Sequence, residues 1–131
     1  TVQHICDVLI ITCIDFRFQD FINNWILENL PTKSHDRVAF AGGVKDLETI
    51  LNQINISKSL HEIKKVILIN HQDCGAYGQE NFPNSQTEHQ KHEEDLRTAT
   101  QKVQDQHPDL EVETYYLHLD GTFEPINNEN I

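Results

Sequence analysis

The stretch DVLIITCIDFR, residues 7–17, joins an apolar run to three chemically active side chains. The run DVLIITC (7–13) is short and rich in β-branched residues, which predicts a strand buried on both faces. Cys13, Asp15 and Arg17 follow at alternate positions where this strand ends. Ligands of parallel α/β sheets sit beyond the carboxyl ends of the strands, so this stretch predicts both the fold class and the edge that carries the site.

Outward from this strand, helical and strand patterns alternate along the chain. Helices are predicted at 18–30, 47–60 and 85–106, the last of them charged and expected to be largely exposed. Further strands are predicted at 36–43 and 65–70, and the alternating stretch 111–126 turns at Asp120-Gly121. We therefore expect one α/β domain over residues 1–131, with a mainly parallel sheet of order 2-1-3-4, helices on both faces and a C-terminal strand or hairpin.

The composition restricts the classes of partner. The chain of 131 residues carries a formal net charge of −11, whereas binding to nucleic acid or to an anionic membrane requires a basic surface. Both partner classes are therefore disfavoured. Cys6, Cys13 and Cys74 have no disulfide-scaffold spacing, and no signal peptide is visible, which predicts reduced thiols and a cytoplasmic location. Cys6 is expected to be a small buried residue near the first strand.

Three potential metal ligands are expected to meet at one edge of the sheet. With the order 2-1-3, Cys13 at the end of the first strand would converge with His71 and Cys74 in the loop after the third. Two thiolates and an imidazole suit Zn²⁺, and three protein ligands leave the open position typical of a catalytic zinc. The H-x-x-C spacing alone is a weak signal, because cysteine is also a common core residue. Together with C-x-D-x-R at a strand end, it favours a metal site.

The order of these motifs resembles that of the β-class carbonic anhydrases. C-x-D-x-R occurs as CIDFR (13–17), followed by an AGG turn (41–43) and by H-x-x-C within HQDCG (71–75). The resemblance is clear over residues 6–78 and loose over the last strand. It implies that Cys13, His71 and Cys74 bind a Zn²⁺ cofactor in an enzyme that hydrates carbon dioxide to bicarbonate. It also implies active sites at a subunit interface, so a homodimer, with a tetramer as the alternative, is expected.

The same resemblance implies roles for Asp15 and Arg17 as a carboxylate–guanidinium pair. Zinc lowers the pKa of its bound water to about 7, so that zinc-bound hydroxide can attack carbon dioxide near neutral pH. Asp15 would accept a hydrogen bond from that hydroxide and orient it, while Arg17 holds Asp15 in place. In some family members this aspartate becomes the fourth zinc ligand and closes the site, which is a hypothesis for Asp15.

The predicted substrate pocket comprises Phe16, Phe40, Gly42, Gly43 and Gly75. The family usually has a small residue at the position of Phe16, and an Arg-Asn pair where this chain has Ala39-Phe40. A more apolar pocket leaves open the hydrolysis of carbonyl sulfide or carbon disulfide at the same zinc site. A zinc-binding scaffold without turnover is a further alternative.

Other polar residues have structural interpretations. His89, His92 and Glu93 lie at helical spacing and are interpreted as the polar surface of the third helix. Asp73 is interpreted as bonding to amides of its own loop. His118 is left open between core and interface, and His35 or another exposed histidine could relay the proton released in each cycle.

Overall fold

A computed structural model describes residues 4–126 of this chain, and its strands form a five-stranded sheet. The strands are β1 (Val8–Thr12), β2 (His35–Ala39), β3 (Lys65–His71), β4 (Glu111–Leu117) and β5 (Phe123–Pro125). Their order is β2-β1-β3-β4-β5, and each neighbouring pair is parallel except β4 with β5, which is antiparallel. The predicted order, the mainly parallel sheet and the C-terminal hairpin are confirmed.

Three longer helices connect the strands: α1 (Gln19–Asn29), α2 (Leu47–His61) and α3 (Ser85–Gln106). The Asp46 carboxylate caps α2 by accepting from the Thr49 amide, and the Asn84 side chain caps α3 by accepting from the Thr87 amide. Short 3₁₀ turns occur at Phe16–Phe18, Gly43–Lys45 and Gln79–Asn81. No helix within residues 4–126 combines the length and the apolar character that crossing a membrane requires.

Two apolar cores lie on opposite faces of the sheet, because β1 and β3 are buried from both sides. Leu9 and Ile11 pack with residues of α2 and α3, whereas Ile10 packs with residues of α1. Burial of each such aliphatic side chain contributes about 1.5–3 kcal/mol to the free energy of folding. The helices thus cover both faces, as predicted.

The second strand is shorter than the sequence predicts, and it is partly exposed. It ends at Ala39 rather than at residue 43, and none of its five residues is fully buried, because β2 forms an edge of the sheet. The chain then turns, with the Gly43 amide donating to the Phe40 carbonyl. Gly42 and Gly43 have φ values of +88° and +59°, which are incompatible with a strand and strained for residues with a Cβ.

The prediction that α3 is largely exposed is wrong for one of its faces. Six of its residues are buried: Glu88, His92, Leu96, Ala99, Thr100 and Val103. The interpretation of His92 as part of the polar surface of this helix is also wrong, because its side chain is fully buried against the rings of Tyr77 and Tyr116. Part of this polar face has partners inside the core: the Asn70 side-chain amide donates to His92 Nδ1 over 2.9 Å, whereas the buried Nε2 has no hydrogen-bond partner among the described residues.

Burial of His92 predicts a distinct loss of stability in acid. Burial, reinforced by the nearby His71, lowers the pKa of His92 from 6.5 to about 3. Below about pH 6.5 the unfolded chain binds a proton at this residue that the folded chain excludes, so stability is lost as the pH falls. Each pH unit in this window is expected to cost about 1.4 kcal/mol in the free energy of unfolding, measured by urea denaturation between pH 7.5 and 4.5.

The matched variants for this measurement are His92→Gln, which removes the titration, and His35→Gln, which changes an exposed histidine. His92→Gln is expected to flatten the pH dependence of the free energy of unfolding, whereas His35→Gln is expected to retain the wild-type slope. Equal slopes for wild type and His92→Gln would contradict the assignment.

Candidate metal centre

Cys13, His71 and Cys74 converge at the carboxyl edge of the sheet. Cys13 follows β1, His71 is the last residue of β3, and Cys74 lies in the loop beyond it. All three side chains are buried, and their potential ligand atoms lie within 4.8 Å of one another. The two sulfur atoms are 3.9 Å apart.

The spacing of these atoms fits a tetrahedral zinc ion. A disulfide would hold the sulfurs at about 2.05 Å, whereas two Zn–S bonds of about 2.3 Å at a tetrahedral angle separate them by about 3.8 Å. His71 Nδ1 lies 2.7 Å from the Gln72 carbonyl and donates to it, which leaves the lone pair on Nε2. That buried Nε2 has no hydrogen-bond partner among the described residues. A metal ion on Nε2 and the two sulfurs would satisfy it.

The surroundings of the two thiols favour one thiolate. The neighbouring Cys74 thiol, with contributions from His71 and the Gly42 amide, lowers the pKa of Cys13. The same proximity to Cys13, together with burial, raises the pKa of Cys74. The Gly42 N–H donates to Cys13 Sγ over 3.4 Å. This amide stabilises negative charge on the sulfur, which is the state that ligates a metal.

Neighbouring side chains hold the ligands in place. The Gln19 side-chain amide, in the first turn of α1, donates to the carbonyls of Cys13 and Asp15 over 3.2 and 2.8 Å. The Phe18 ring packs on the His71 imidazole with a centroid distance of 4.2 Å. The backbone of the first motif is therefore anchored to the helix that follows it.

Arg17 is clamped between two aspartates. Its guanidinium donates to both carboxylate oxygens of Asp15, with the shortest contact, Nη2 to Oδ2, at 2.7 Å. The same guanidinium donates to the carboxylate and the carbonyl of Asp73, each over 2.9 Å. The interpretation of Asp73 as a purely local turn residue is therefore wrong, since it anchors Arg17 across the site.

This clamp keeps Asp15 ionised beside the ligand cluster. Hydrogen bonds from Arg17 lower the pKa of Asp15, and the two aspartates raise the pKa of Arg17. Asp15 Oδ2 lies 3.8 Å from His71 Nε2. An ionised carboxylate is thus placed next to the point where the three ligand atoms converge.

An open cleft of about 580 Å³ leads to this point. Of the predicted pocket residues, Phe16 and Gly75 line it, together with Cys13, Ile14, Asp15, Arg17, Ala41, Asp73 and Ala76. Ile14 and Phe16 are 58% and 86% exposed, and because both line the cleft they make its rim apolar.

The remaining predicted pocket residues lie behind the ligands. Gly42 contributes its amide to Cys13 Sγ. Gly43 is buried, and a Cβ at this position would lie 2.4 Å from the Asn70 side-chain oxygen. Phe40 is half-buried, and its amide donates to the Thr12 carbonyl. A larger cavity of about 720 Å³ lies between the Gly43–Lys45 turn and α3, and its lining does not include the three ligands.

The sequence did not reveal three supporting residues, Gln19, Asn70 and Glu88. It also did not reveal that Asp73 holds Arg17. Asn70 accepts from the Val44 amide and donates to Tyr77 and His92, which joins the glycine turn to the ligand loop. Glu88 accepts from the Asp73 amide over 2.7 Å. The one available signal was the position of Asn70, a polar residue at the end of an otherwise apolar strand directly before a ligand.

Comparisons of the sequence relate this chain to known proteins. A family model described as "Putative carbonic anhydrase" matches residues 3–127. An uncharacterized protein of Rickettsia bellii (strain RML369-C) is 30% identical, over 90% of this chain and 80% of that protein. An uncharacterized protein of Rickettsia conorii is also 30% identical, over 90% of this chain and 70% of that protein.

The fold is similar to those of solved carbonic anhydrases. The enzyme of Streptococcus mutans aligns with a TM-score of 0.64 and 19% identity over 95% of this chain and 84% of that one. The β-carbonic anhydrase CafA of Aspergillus fumigatus aligns with a TM-score of 0.66 and 15% identity over 98% of this chain and 78% of that one. A β-carbonic anhydrase of Sordaria macrospora, described as tetrameric, aligns with a TM-score of 0.63 and 11% identity over 95% of this chain and 82% of that one. At these identities the similarity shows a shared fold.

The geometry of the three ligands predicts one tightly held zinc ion per chain. Purified protein dialysed against a weak chelator is expected to retain one equivalent of zinc, measured by elemental analysis. Cys74→Ser is expected to lower the retained zinc from one per chain to nearly none, because a hydroxyl is a poor zinc ligand at neutral pH.

Cys6→Ser is the matched control. Cys6 is also buried, but its thiol donates a hydrogen bond to the Val8 carbonyl. This variant is expected to retain the zinc. Full zinc retention in Cys74→Ser would show that the metal is held elsewhere.

Proposed function

Because this chain belongs to the family described as putative carbonic anhydrases, we propose that it is a zinc lyase that hydrates carbon dioxide to bicarbonate. One observation carries the proposal: the buried Cys13, His71 and Cys74 cluster lies directly beside an aspartate that an arginine holds ionised. A structural zinc site closes with four protein ligands, whereas here three ligands stand beside a carboxylate that can orient a water. The apolar rim of the cleft that opens onto the cluster suits a small apolar substrate.

Cys13, His71 and Cys74 would hold the zinc, through two sulfurs and an imidazole nitrogen. When bound, zinc lowers the pKa of a coordinated water to about 7 and so supplies a nucleophile near neutral pH. The Gln72 carbonyl fixes the tautomer of His71, and the Gly42 amide stabilises the Cys13 thiolate. Burial of all three ligands keeps competing water away from the ligand atoms.

Asp15 orients the attacking water. An ionised carboxylate can only accept hydrogen bonds, so Asp15 fixes the direction of the water's O–H and leaves a lone pair facing the substrate. Arg17 contributes by keeping Asp15 ionised and in one position, and Asp73 contributes by holding Arg17. The occupation of the fourth zinc position by Asp15 in a closed state stays a prediction, since in this structure Asp15 is paired with Arg17.

The apolar rim favours a second candidate reaction at the same site. The lining of the cleft contains four apolar residues beside its charged groups: Ile14, Phe16, Ala41 and Ala76. Carbonyl sulfide and carbon disulfide are more apolar than the carbon dioxide and bicarbonate pair. Hydrolysis of either compound would use the same zinc, Asp15 and Arg17. Parallel assays of carbon dioxide hydration and carbonyl sulfide hydrolysis distinguish the two reactions, and zinc binding without either activity would indicate a scaffold.

We further propose a homodimer, with a tetramer as the alternative, in which a partner covers the exposed Ile14 and Phe16. These side chains stand at the mouth of the cleft, where a second chain would bury them and complete the pocket.

The proposed location is the cytoplasm. The three buried cysteines are free, which fits the reducing conditions of a cytoplasmic protein.

The role of Asp15 predicts a large loss of activity in Asp15→Asn. The amide keeps the shape but can donate a hydrogen bond, so the water is no longer held in one orientation. Stopped-flow carbon dioxide hydration is expected to fall by about 10²-fold in kcat/KM, with zinc content unchanged. Asp20→Asn, an exposed aspartate in α1, is the matched control and should behave as wild type. Undiminished activity in Asp15→Asn would remove this residue from the mechanism.

The clamp on Arg17 predicts a smaller loss in Asp73→Asn. This variant removes one charged anchor of the guanidinium and leaves Asp15 and the ligands in place. We expect kcat/KM for carbon dioxide hydration to fall by about tenfold, as is usual for a residue that positions a catalytic group. Zinc content distinguishes this effect from disruption of the ligand loop, because it should stay at one per chain. A loss of zinc in parallel with activity would assign Asp73 to loop structure instead.

A further inference from the structure

A second cluster of potential metal ligands lies outside the site described above. It comprises His89 of α3, His118 after β4, and Glu124 of β5. The β4–β5 hairpin fixes two of these positions, because Tyr116 pairs with Glu124 and the His118 amide donates to the Thr122 carbonyl. Helix α3 packs on β4 and brings His89 to the same place.

The three side chains point their ligand atoms at one another. His89 Nε2 lies 3.0 and 3.1 Å from the two oxygens of Glu124. His118 Nε2 lies 2.8 Å from Oε1 of the same carboxylate. One ligand atom from each residue falls within 4.8 Å of the others.

The carboxylate of Glu93 orients the His89 imidazole. Nδ1 of His89 lies 2.8 Å from Glu93 Oε1, and Arg97 holds Glu93 in turn over 3.0 Å. A neutral imidazole has one N–H, so it can donate to Glu93 or to Glu124 but not to both. Donation from Nδ1 to Glu93 leaves the Nε2 lone pair facing Glu124 and His118, which is the carboxylate–histidine–metal arrangement of metalloproteins.

The imidazoles are also held rigidly. The ring of the buried Tyr116 meets His89 at 4.8 Å and His118 at 5.1 Å, in both cases edge to face. The two imidazoles are nearly parallel, with an interplanar angle of 24°. Ligands held by such packing lose little conformational entropy when an ion binds.

We propose that His89, His118 and Glu124 form a second site for a divalent first-row transition-metal ion. Two imidazoles and one carboxylate suit Zn²⁺, Co²⁺ and their neighbours, and remaining coordination positions would be open to solvent. The three side chains are 25%, 32% and 38% exposed, which gives an ion access. The site contains no thiolate and therefore binds more weakly than the Cys13, His71 and Cys74 cluster. It does not depend on the proposed reaction.

Occupancy would tie the C-terminal hairpin to α3 close to the first cluster. Glu88, the residue before His89, accepts from the Asp73 amide, and the Leu117 carbonyl before His118 accepts from the Gln72 amide. His89 and His118 thus each follow, by one position in the sequence, a residue that contacts the loop carrying Cys74. An ion at the second site would stiffen the support of that loop.

Zn²⁺ and Co²⁺ are the probes for this site, used with the full chain. Equilibrium dialysis against Zn²⁺ is expected to show two equivalents per wild-type chain and one in the double variant His89→Gln/His118→Gln. Glu93→Gln is expected to lower the affinity for the second ion by about 10- to 100-fold, because the Glu93 carboxylate no longer polarises His89. The His35→Gln control should retain two equivalents.

Spectroscopy separates the two sites. Co²⁺ bound by thiolates has intense sulfur-to-metal charge-transfer absorption, whereas Co²⁺ bound by nitrogen and oxygen has only weak d–d bands. The double variant should therefore retain the charge-transfer band, which also shows that it is folded, and Cys74→Ser should lose that band but still bind the second ion. Binding that stops at one equivalent in wild type, or a second equivalent that persists in the double variant, would show that these residues form only a hydrogen-bonded ion-pair cluster.

Discussion

The parallel pairing of β1 with β3 is the constraint on which the rest of the structure depends. Ile11 lies opposite Leu68 in this pair, so both strands leave the sheet at the same edge. Cys13 and the His71–Cys74 loop are far apart in sequence, and only this pairing brings them together. Burial of the two strands by helical layers on both faces stabilises the pairing, and each aliphatic side chain adds a few kcal/mol. The candidate metal centre is thus carried by the most buried part of the fold.

Helix α3 supports the ligand loop through polar rather than apolar contacts. Glu88 bonds to the Asp73 amide, His92 to Asn70, and Asp95 to the Tyr77 hydroxyl. These three residues recur at helical spacing, so they form one polar face that is turned toward the loop. A buried polar group that loses its partner costs about 1–3 kcal/mol, which makes the loop position specific as well as stable.

An adjacent stripe of the same helix meets the hairpin. His89, Glu93 and Arg97 follow one another at intervals of four residues, and Glu93 accepts from His89 on one side and pairs with Arg97 on the other. Helix α3 therefore serves both clusters, one through the residues that face the loop and one through those that face β5. Part of the charge of this helix, which is typical of an exposed surface, belongs here to two organised polar networks.

Much of the fold and of the centre could be predicted from local pattern. The run 7–13, the alternation of strand and helix signals, and the placement of CIDFR and HQDCG after strands led to the observed sheet order and to the residues that converge. Hydrophobic periodicity reports burial well when the buried residues are apolar. For the same reason it did not reveal His92 or Glu88, whose burial depends on partners from other elements.

The sequence by itself therefore determined the strand order, the edge of the sheet that carries the site, and the types of ligand atom available there. Only the tertiary structure decided that Asp73 anchors Arg17, that α3 turns a polar face inward, and that His89, His118 and Glu124 meet. The physical reason is the distance along the chain between the interacting residues. Periodicity and chain order are local properties of the sequence. Hydrogen bonds between distant residues depend on how the helices and strands pack, and no single segment determines that packing.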